Sequence, residues 1–256
     1  MPLELVTIPC LSDNYVYLVH DEASGDTAVF DVPEAGPILE TLKGRGWTLS
    51  HVFLTHHHWD HVDGLGDLLA EAPAKVIGAA ADAHRLPPLD IQVADGDNVI
   101  IGTEQVEVLE VPGHTTGHVA YYMEGSGILV TMDSLMALGC GRLFEGTPEM
   151  MYASLQKMAA LPGETLVCSG HEYSETNARF AMTIEPENSA LISRSDAIAE
   201  ARAKGKATVP TTLRLELDTN PFLRADQPGV LQTVGMPGSD PVAVFAEIRK
   251  RRDSFK

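Results

Sequence analysis

Apolar residues come in short runs between polar turns through the first two thirds of the chain and at helical spacing through the last third. Leu3 to Pro9, Tyr15 to His20 and Thr27 to Val32 are rich in Val, Tyr and Ile and are separated by polar turns, which predicts three short strands. Glu22 to Asp26 is the hairpin loop expected between the second and third. A helix is predicted from Pro37 to Gly44, ending on a glycine. The run His51-Val52-Phe53-Leu54 predicts a strand, and Val62 to Glu71 a helix after it. Further strands are expected at Lys75 to Gly78, Val99 to Gly102, Val106 to Val111, 119–123 and 127–132, the last two joined by the turn Glu124 to Gly127. Strands and helices mixed over about 170 residues predict an α/β fold of two sheets covered by helices.

The pattern then changes. Pro148 to Leu161 reads as a helix and Thr165 to Ser169 as one last strand, after which strand signals become rare. Glu175 to Ile184 and Ser189 to Lys204 carry small and apolar residues at helical spacing. Asp240-Pro241 is a helix start, with Asp as the cap and Pro in the first helical position, and Val244, Phe245 and Ile248 form the stripe to be buried. Two domains are expected, residues 1–173 and a small helical one over residues 174–256. No internal repeat or low-complexity stretch interrupts them.

With 256 residues, 44% of them hydrophobic, the chain can bury a substantial core. A net charge of -18 argues against a nucleic-acid backbone or an anionic membrane as partner. Positive charge gathers at the end, where Arg249, Lys250, Arg251, Arg252 and Lys256 fall within the last eight positions. Such a tail reads either as a solvated helix end or as a local patch for an anionic substrate. Cys10, Cys140 and Cys168 are odd in number and widely spaced, so neither a disulfide framework nor a thiolate zinc site is indicated. The opening Met-Pro-Leu-Glu-Leu has no basic segment and no long apolar run, so a cytoplasmic protein is the expectation. A monomer is expected as well.

The densest chemistry is Thr55-His56-His57-His58-Trp59-Asp60-His61. Its H-x-H-x-D-H spacing offers His56, His58, Asp60 and His61 as metal ligands at a strand-to-helix corner, where α/β proteins build their sites. Three more candidates each follow a predicted strand: His114 in Pro-Gly-His-Thr-Thr-Gly-His, Asp133 after Gly127 to Met132, and His171 in Ser-Gly-His-Glu-Tyr. Five histidines and two aspartates suffice for two divalent ions if one carboxylate bridges. Nitrogen and oxygen ligands suit zinc, and also iron or manganese. His20, His51, His57, His84 and His118 are not expected to be ligands: His57 should point away from the ions, and His118 should orient the loop or a ligand through a hydrogen bond.

These motifs resemble the metallo-β-lactamase superfamily. Within it, Ser12-Asp13-Asn14-Tyr15, Gly139-Cys140-Gly141-Arg142, Asn220-Pro221-Phe222-Leu223-Arg224 and the basic last helix are similar to the glyoxalase II, or hydroxyacylglutathione hydrolase, branch. The resemblance implies an αββα sandwich followed by a helical domain. It implies one ion on His56, His58 and His114 and another on Asp60, His61 and His171, with Asp133 between them. It also implies a glutathione moiety held by Arg142, Tyr173, Arg249 and Arg252. Arg142 and Arg252 stand where some relatives have lysine, and Phe144 where some have a tyrosine. Arginine keeps the charge, whereas Phe144 has no hydroxyl to donate. The implied reaction is hydrolysis of S-(2-hydroxyacyl)glutathione, such as S-D-lactoylglutathione, to glutathione and a 2-hydroxy acid, the second step of methylglyoxal detoxification. Asp60 and Asp133 are the expected catalytic carboxylates, Asp60 orienting the attacking hydroxide. Alternatives are a single-iron glutathione persulfide dioxygenase of the same superfamily, a lactamase or nuclease, and a metal-dependent scaffold without turnover.

Overall fold

A computed structural model of the chain describes residues 2–255, so Lys256 of the basic tail lies outside the described residues. The chain forms two compact units. One holds the residues up to Glu110 together with Gly117–Met132, and the other holds Val111–Thr116 and the chain from Asp133 onward.

In the first unit, β1 (Glu4–Cys10), β2 (Asn14–His20) and β3 (Thr27–Phe30) form an antiparallel meander, with Glu4 opposite His20 and Tyr17 opposite Phe30. Helix α1 (Ala35–Arg45) then crosses to β4 (His51–Phe53), which lies parallel to β3. The short helix α2 (Trp59–Val62) and α3 (Leu65–Glu71) lead to β5 (Lys75–Ala79), also parallel, and β6 (Ile91–Val93) completes the sheet in the order β1 to β6. Parallel neighbours need such crossovers, and they place the helices on one face. That face is filled by Val16, Leu18, Val29, Val52 and Leu54 against Ile38, Leu42 and Leu68. The strand period of two sends Tyr17, Phe30 and Phe53 to the other face. There β7 (Asn98–Ile101), β8 (Glu104–Glu110), β9 (Val119–Met123) and β10 (Ile128–Met132) run as an antiparallel meander. Tyr121 of β9 closes the contact: its ring lies 5.7 Å from Phe30 and 5.0 Å from Phe53, and its hydroxyl donates to the Leu54 carbonyl at 2.8 Å.

Two expected boundaries move for identifiable reasons. The strand predicted to Val32 stops at Phe30 because Asp31 takes a left-handed backbone conformation, φ 60°. The single helix predicted over residues 62–71 is broken at Asp63–Gly64. Gly64 presses on the Glu34 backbone, where a Cβ would approach to 2.5 Å, and its N–H donates to the Val32 carbonyl at 2.9 Å. Only glycine permits that approach.

The second unit carries the hairpin β11 (Leu135–Met136) and β12 (Gly139–Cys140), helix α4 (Pro148–Ala159), β13 (Leu166–Ser169), α5 (Ser174–Ile184), α6 (Ser189–Ala203), β14 (Thr211–Thr212), α7 (Leu213–Thr219), α8 (Pro228–Val234) and α9 (Pro241–Ser254). Leu138, Ala178, Ala181, Leu191 and Ile198 form one core cluster, in which α5 packs on α6. Val244, Phe245 and Ile248 are buried as their spacing on α9 predicts, and Asp240 caps that helix by accepting from the Val242 N–H at 3.1 Å. A buried ion pair, Arg194 with Glu216, ties α6 to α7. Helices α7 and α8 are absent from the sequence reading because each has only seven residues, too few for a helical period to emerge. Among the described residues no helix is long and apolar enough to cross a membrane.

Candidate metal centre

In the first unit the H-x-H-x-D-H loop leaves β4 and enters α2, and it is organised around Asp31 at the end of β3. Asp31 is fully buried. Its Oδ1 accepts from the Thr55 N–H at 2.8 Å, and its Oδ2 accepts from the Thr55 hydroxyl at 2.7 Å. The same Oδ2 lies 2.8 Å from His61 Nδ1, and the Thr55 hydroxyl oxygen lies 3.0 Å from His56 Nδ1. With the Thr55 proton directed to Asp31, its oxygen accepts from His56. One carboxylate therefore fixes the tautomer of two imidazoles, proton on Nδ1 and lone pair on Nε2, the state in which Nε2 serves as a ligand. Asp31, His56 and His61 stand as one group of potential ligand atoms. Asp31 already accepts three hydrogen bonds, which suits it to support and leaves the imidazoles as the candidate ligands.

The other first-unit residues fall around this core. His58 Nδ1 lies 3.2 Å from His56 Nε2. Asp60 Oδ2 lies 3.9 Å from His61 Nε2, and the Asn14 amide donates to the Asp60 carbonyl at 3.1 Å and to its Oδ2 at 3.4 Å. His57 is turned to Asp82, with Nδ1 3.0 Å from Oδ2, and Arg85 holds the other oxygen of that carboxylate at 2.7 Å. His118 stacks on His56 with ring centroids 4.6 Å apart, so it steadies a candidate ligand by ring packing, where the sequence suggested a hydrogen bond.

The second unit gathers His114, Asp133 and His171, all nearly buried. Asp133 Oδ2 lies 3.5 Å from His114 Nε2 and 3.3 Å from His171 Nε2. His114 Nδ1 donates to the Arg142 carbonyl at 2.8 Å, which again commits Nδ1 and turns Nε2 to the carboxylate. Gly141 passes so close to the Asp133 carbonyl and the His114 ring that no side chain fits there. Tyr173 stacks on His171, centroids 4.7 Å apart and 6° from parallel. Arg142 is exposed, 3.5 Å from Asp253, and lies over the exposed Phe144, whose ring meets His114 edge-on at 5.3 Å. Arg249 is 7% exposed: its guanidinium donates to the Cys140 carbonyl at 2.9 Å and pairs with Asp253 at 2.8 Å. Arg252 donates twice to the Asn177 side-chain oxygen, at 3.2 and 3.1 Å.

These separations suit a metal. Two donor atoms each about 2.1 Å from one ion at a tetrahedral angle stand about 3.4 Å apart. The spacings His56 to His58, Asp133 to His114 and Asp133 to His171 all fall near that value. No cysteine takes part: Cys10, Cys140 and Cys168 are buried thiols, with the pKa of Cys10 pushed up by burial to about 12 and that of Cys140 to about 11.

Comparison with known proteins agrees with this geometry. Residues 13–171 match the family model described as the metallo-beta-lactamase superfamily, and residues 172–255 match the one described as hydroxyacylglutathione hydrolase C-terminus. The hydroxyacylglutathione hydrolase of Ruegeria pomeroyi is 60% identical over 255 residues, covering 100% of both chains. This chain belongs to the hydroxyacylglutathione hydrolase family.

Solved structures reach less far. ETHE1 from Myxococcus xanthus is 26% identical with a TM-score of 0.65, over 100% of both chains. TTHA1623 in a di-iron-bound form is 26% identical with a TM-score of 0.61, over 86% of this chain and 100% of that one. The fold is thus α/β, a metallo-β-lactamase domain with a helical C-terminal part, and its family and its His and Asp clusters support the binding of metal ions. Asp31, Asn14, Asp82, Asn177 and Asp253 were not singled out in the sequence as functional. Of these, Asn14 lies in the Ser12-Asp13-Asn14-Tyr15 stretch that carries the family resemblance, and Asp31 is an acidic residue in a run otherwise fit for a buried strand.

Proposed function

We propose that the chain hydrolyses S-(2-hydroxyacyl)glutathione, with S-D-lactoylglutathione as the representative substrate, using two divalent metal ions, zinc first and iron or manganese as alternatives. His56, His58 and His114 would hold one ion, Asp60, His61 and His171 the other, and Asp133 would serve both. The observation that carries this reading is the single Asp133 oxygen at ligand spacing from two imidazoles that belong to different ions in this scheme. The full-length likeness to the Ruegeria pomeroyi enzyme, and the two irons of TTHA1623, support it further.

Such ions, when bound, supply a water whose pKa falls from about 15.7 toward 7, and positive charge for the developing oxyanion. The chain does the rest. Asp60, steadied by Asn14, orients the nucleophile as an acceptor. Asp31 and Thr55 keep His56 and His61 in the ligand tautomer. The leaving thiolate belongs to a thiol with a pKa near 8.5, by analogy with free cysteine, so it departs without a general acid. Arg142 and Tyr173 are exposed, and we assign them to the glutathione end, in a chain whose -18 charge would otherwise repel an anion. We assign Arg249 and Arg252 to the same end of the substrate and residues 174–256 to the domain that binds it.

The test is metal content per chain together with free-thiol release from S-D-lactoylglutathione. Two metals and rapid release are expected, with His58→Ala losing both and Arg142→Ala mainly raising KM. One iron per chain with oxygen uptake on glutathione persulfide would replace this reading with a dioxygenase.

A further inference from the structure

The hairpin of β11 and β12 is made of only two short strands, yet it joins Asp133 to Arg142. Two residues a side cannot hold such a hairpin in shape. Its backbone polar groups are instead taken up by side chains from the helical part of the same unit. The Asn220 amide donates to the carbonyls of Met136 at 3.1 Å and Gly139 at 3.0 Å. Glu216 Oε2 accepts from the Leu138 N–H at 2.9 Å, at a residue held at φ 56°. The Asn177 amide donates to the Ala137 carbonyl at 3.0 Å, and Arg249 donates to the Cys140 carbonyl. Glu216 and Asn220 are fully buried, and Asn177 is 5% exposed. Gly139 is needed because a Cβ there would lie 2.5 Å from the Asn177 amide nitrogen.

We propose that Asn177, Glu216 and Asn220 are positioning residues that clamp the 136–140 hairpin and so fix Asp133 and Arg142, its two ends, for the reaction. The inference rests on the thioesterase reading given above, and it extends that reading to residues that touch neither substrate nor metal. A helical domain assigned to substrate binding thereby also shapes the segment that carries the shared carboxylate. Asn177 is the informative member because it has a donor and an acceptor in separate use. Its amide holds Ala137, and its oxygen holds Arg252.

Asn177→Asp separates the two jobs. The carboxylate keeps an acceptor for Arg252 but sets an oxygen against the Ala137 carbonyl, so the hold on the hairpin tip is lost while the arginine stays. A displacement of about 1 Å at reacting groups can cost about 100-fold in rate. We therefore expect kcat on S-D-lactoylglutathione to fall by about 10- to 100-fold with KM changed less than about threefold, at unaltered metal content and with the thermal midpoint lowered by the lost buried hydrogen bond. Amide exchange in peptides spanning residues 134–141 should quicken at least about tenfold in the same variant. Asn220→Ser, which cuts the two bonds to Met136 and Gly139, should do the same and stands in if the first variant does not fold. Unchanged kcat and unchanged exchange would overturn the proposal, as would a rise in KM alone, which would mark Asn177 as a support for Arg252 only. If the wild-type enzyme releases no thiol, the thioesterase reading has failed. The exchange comparison still decides whether the clamp exists.

Discussion

The Asp31→Asn substitution exchanges one oxygen for an NH2 group at the point where two candidate ligands are oriented. The wild-type carboxylate receives three donors: the Thr55 N–H, the Thr55 hydroxyl and His61 Nδ1. An asparagine has one acceptor oxygen to offer in their place. If that oxygen stays with the Thr55 N–H, the amide points at the Thr55 oxygen and at His61 Nδ1. The histidine must then accept, its proton moves to Nε2, and the nitrogen needed for the metal is occupied. If the amide is flipped, two N–H groups collide in a fully buried site. Losing at least one hydrogen bond to a charged group costs about 1.5–3 kcal/mol. The metal-free variant should therefore be less stable by about that amount in guanidinium titration. Disturbing a residue that orients a ligand typically costs about 10- to 100-fold in metal affinity, which competition with a chelator of known strength would read. The stability loss alone would not establish the argument. A variant that loses stability as expected but binds metal within about twofold of wild type would refute the tautomer reasoning.

Three further outcomes follow from the packing. Tyr121→Phe removes the hydroxyl that reaches the Leu54 carbonyl between the two sheets, and should lower stability by about 1 kcal/mol in urea titration without altering metal content. Arg194→Met leaves Glu216 buried without its cation, and should cost about 3–5 kcal/mol, with the thermal midpoint reporting it. The buried thiols should resist a thiol reagent at pH 8 in the native state and react in denaturant. Burial raises the thiol pKa from 9.0 to about 12 at Cys10 and to about 11 at Cys140, and raises Cys168 further still. The folded chain therefore keeps protons that the unfolded chain releases. This stabilisation is complete below pH 9 and declines as pH rises from 9 toward 11 and 12, so denaturant midpoints should fall over that interval.

The candidate ligands were legible in the sequence because their spacing is itself the chemistry. H-x-H-x-D-H puts four donors on one turn of chain, and His114, Asp133 and His171 each follow a short run rich in apolar residues. The sheets were legible because strands announce themselves in short segments, by alternation in β8 and by an unbroken buried run between polar turns in β3. What holds the ligands in place was not legible, because each support lies far along the chain from what it supports. Asp31 acts on His61 from 30 residues away, and Glu216 on Leu138 from 78. No local pattern marks such a pair. A buried Glu on a seven-residue helix looks like any exposed one until the fold supplies its partner.

The arginines of the last helix carry the same point into function. By sequence Arg249 and Arg252 are equivalent cations three residues apart, on one face of a helix. In the fold they differ: Arg249 is buried against Cys140 and Phe222, whereas Arg252 is half-buried and reaches Ala137 through Asn177. Burial lowers the Arg252 pKa, with the nearby Arg249 charge adding to the effect. A cluster of like charges held together in this way gains from an incoming carboxylate twice, by direct pairing and by relief of mutual repulsion. Asp253 already supplies part of that relief to Arg249 and Arg142. Any anionic ligand of these arginines would therefore compete with an internal carboxylate. The same few side chains, Asn177 and Arg249, touch both the hairpin backbone and the arginine cluster, so a change at either would be felt by both.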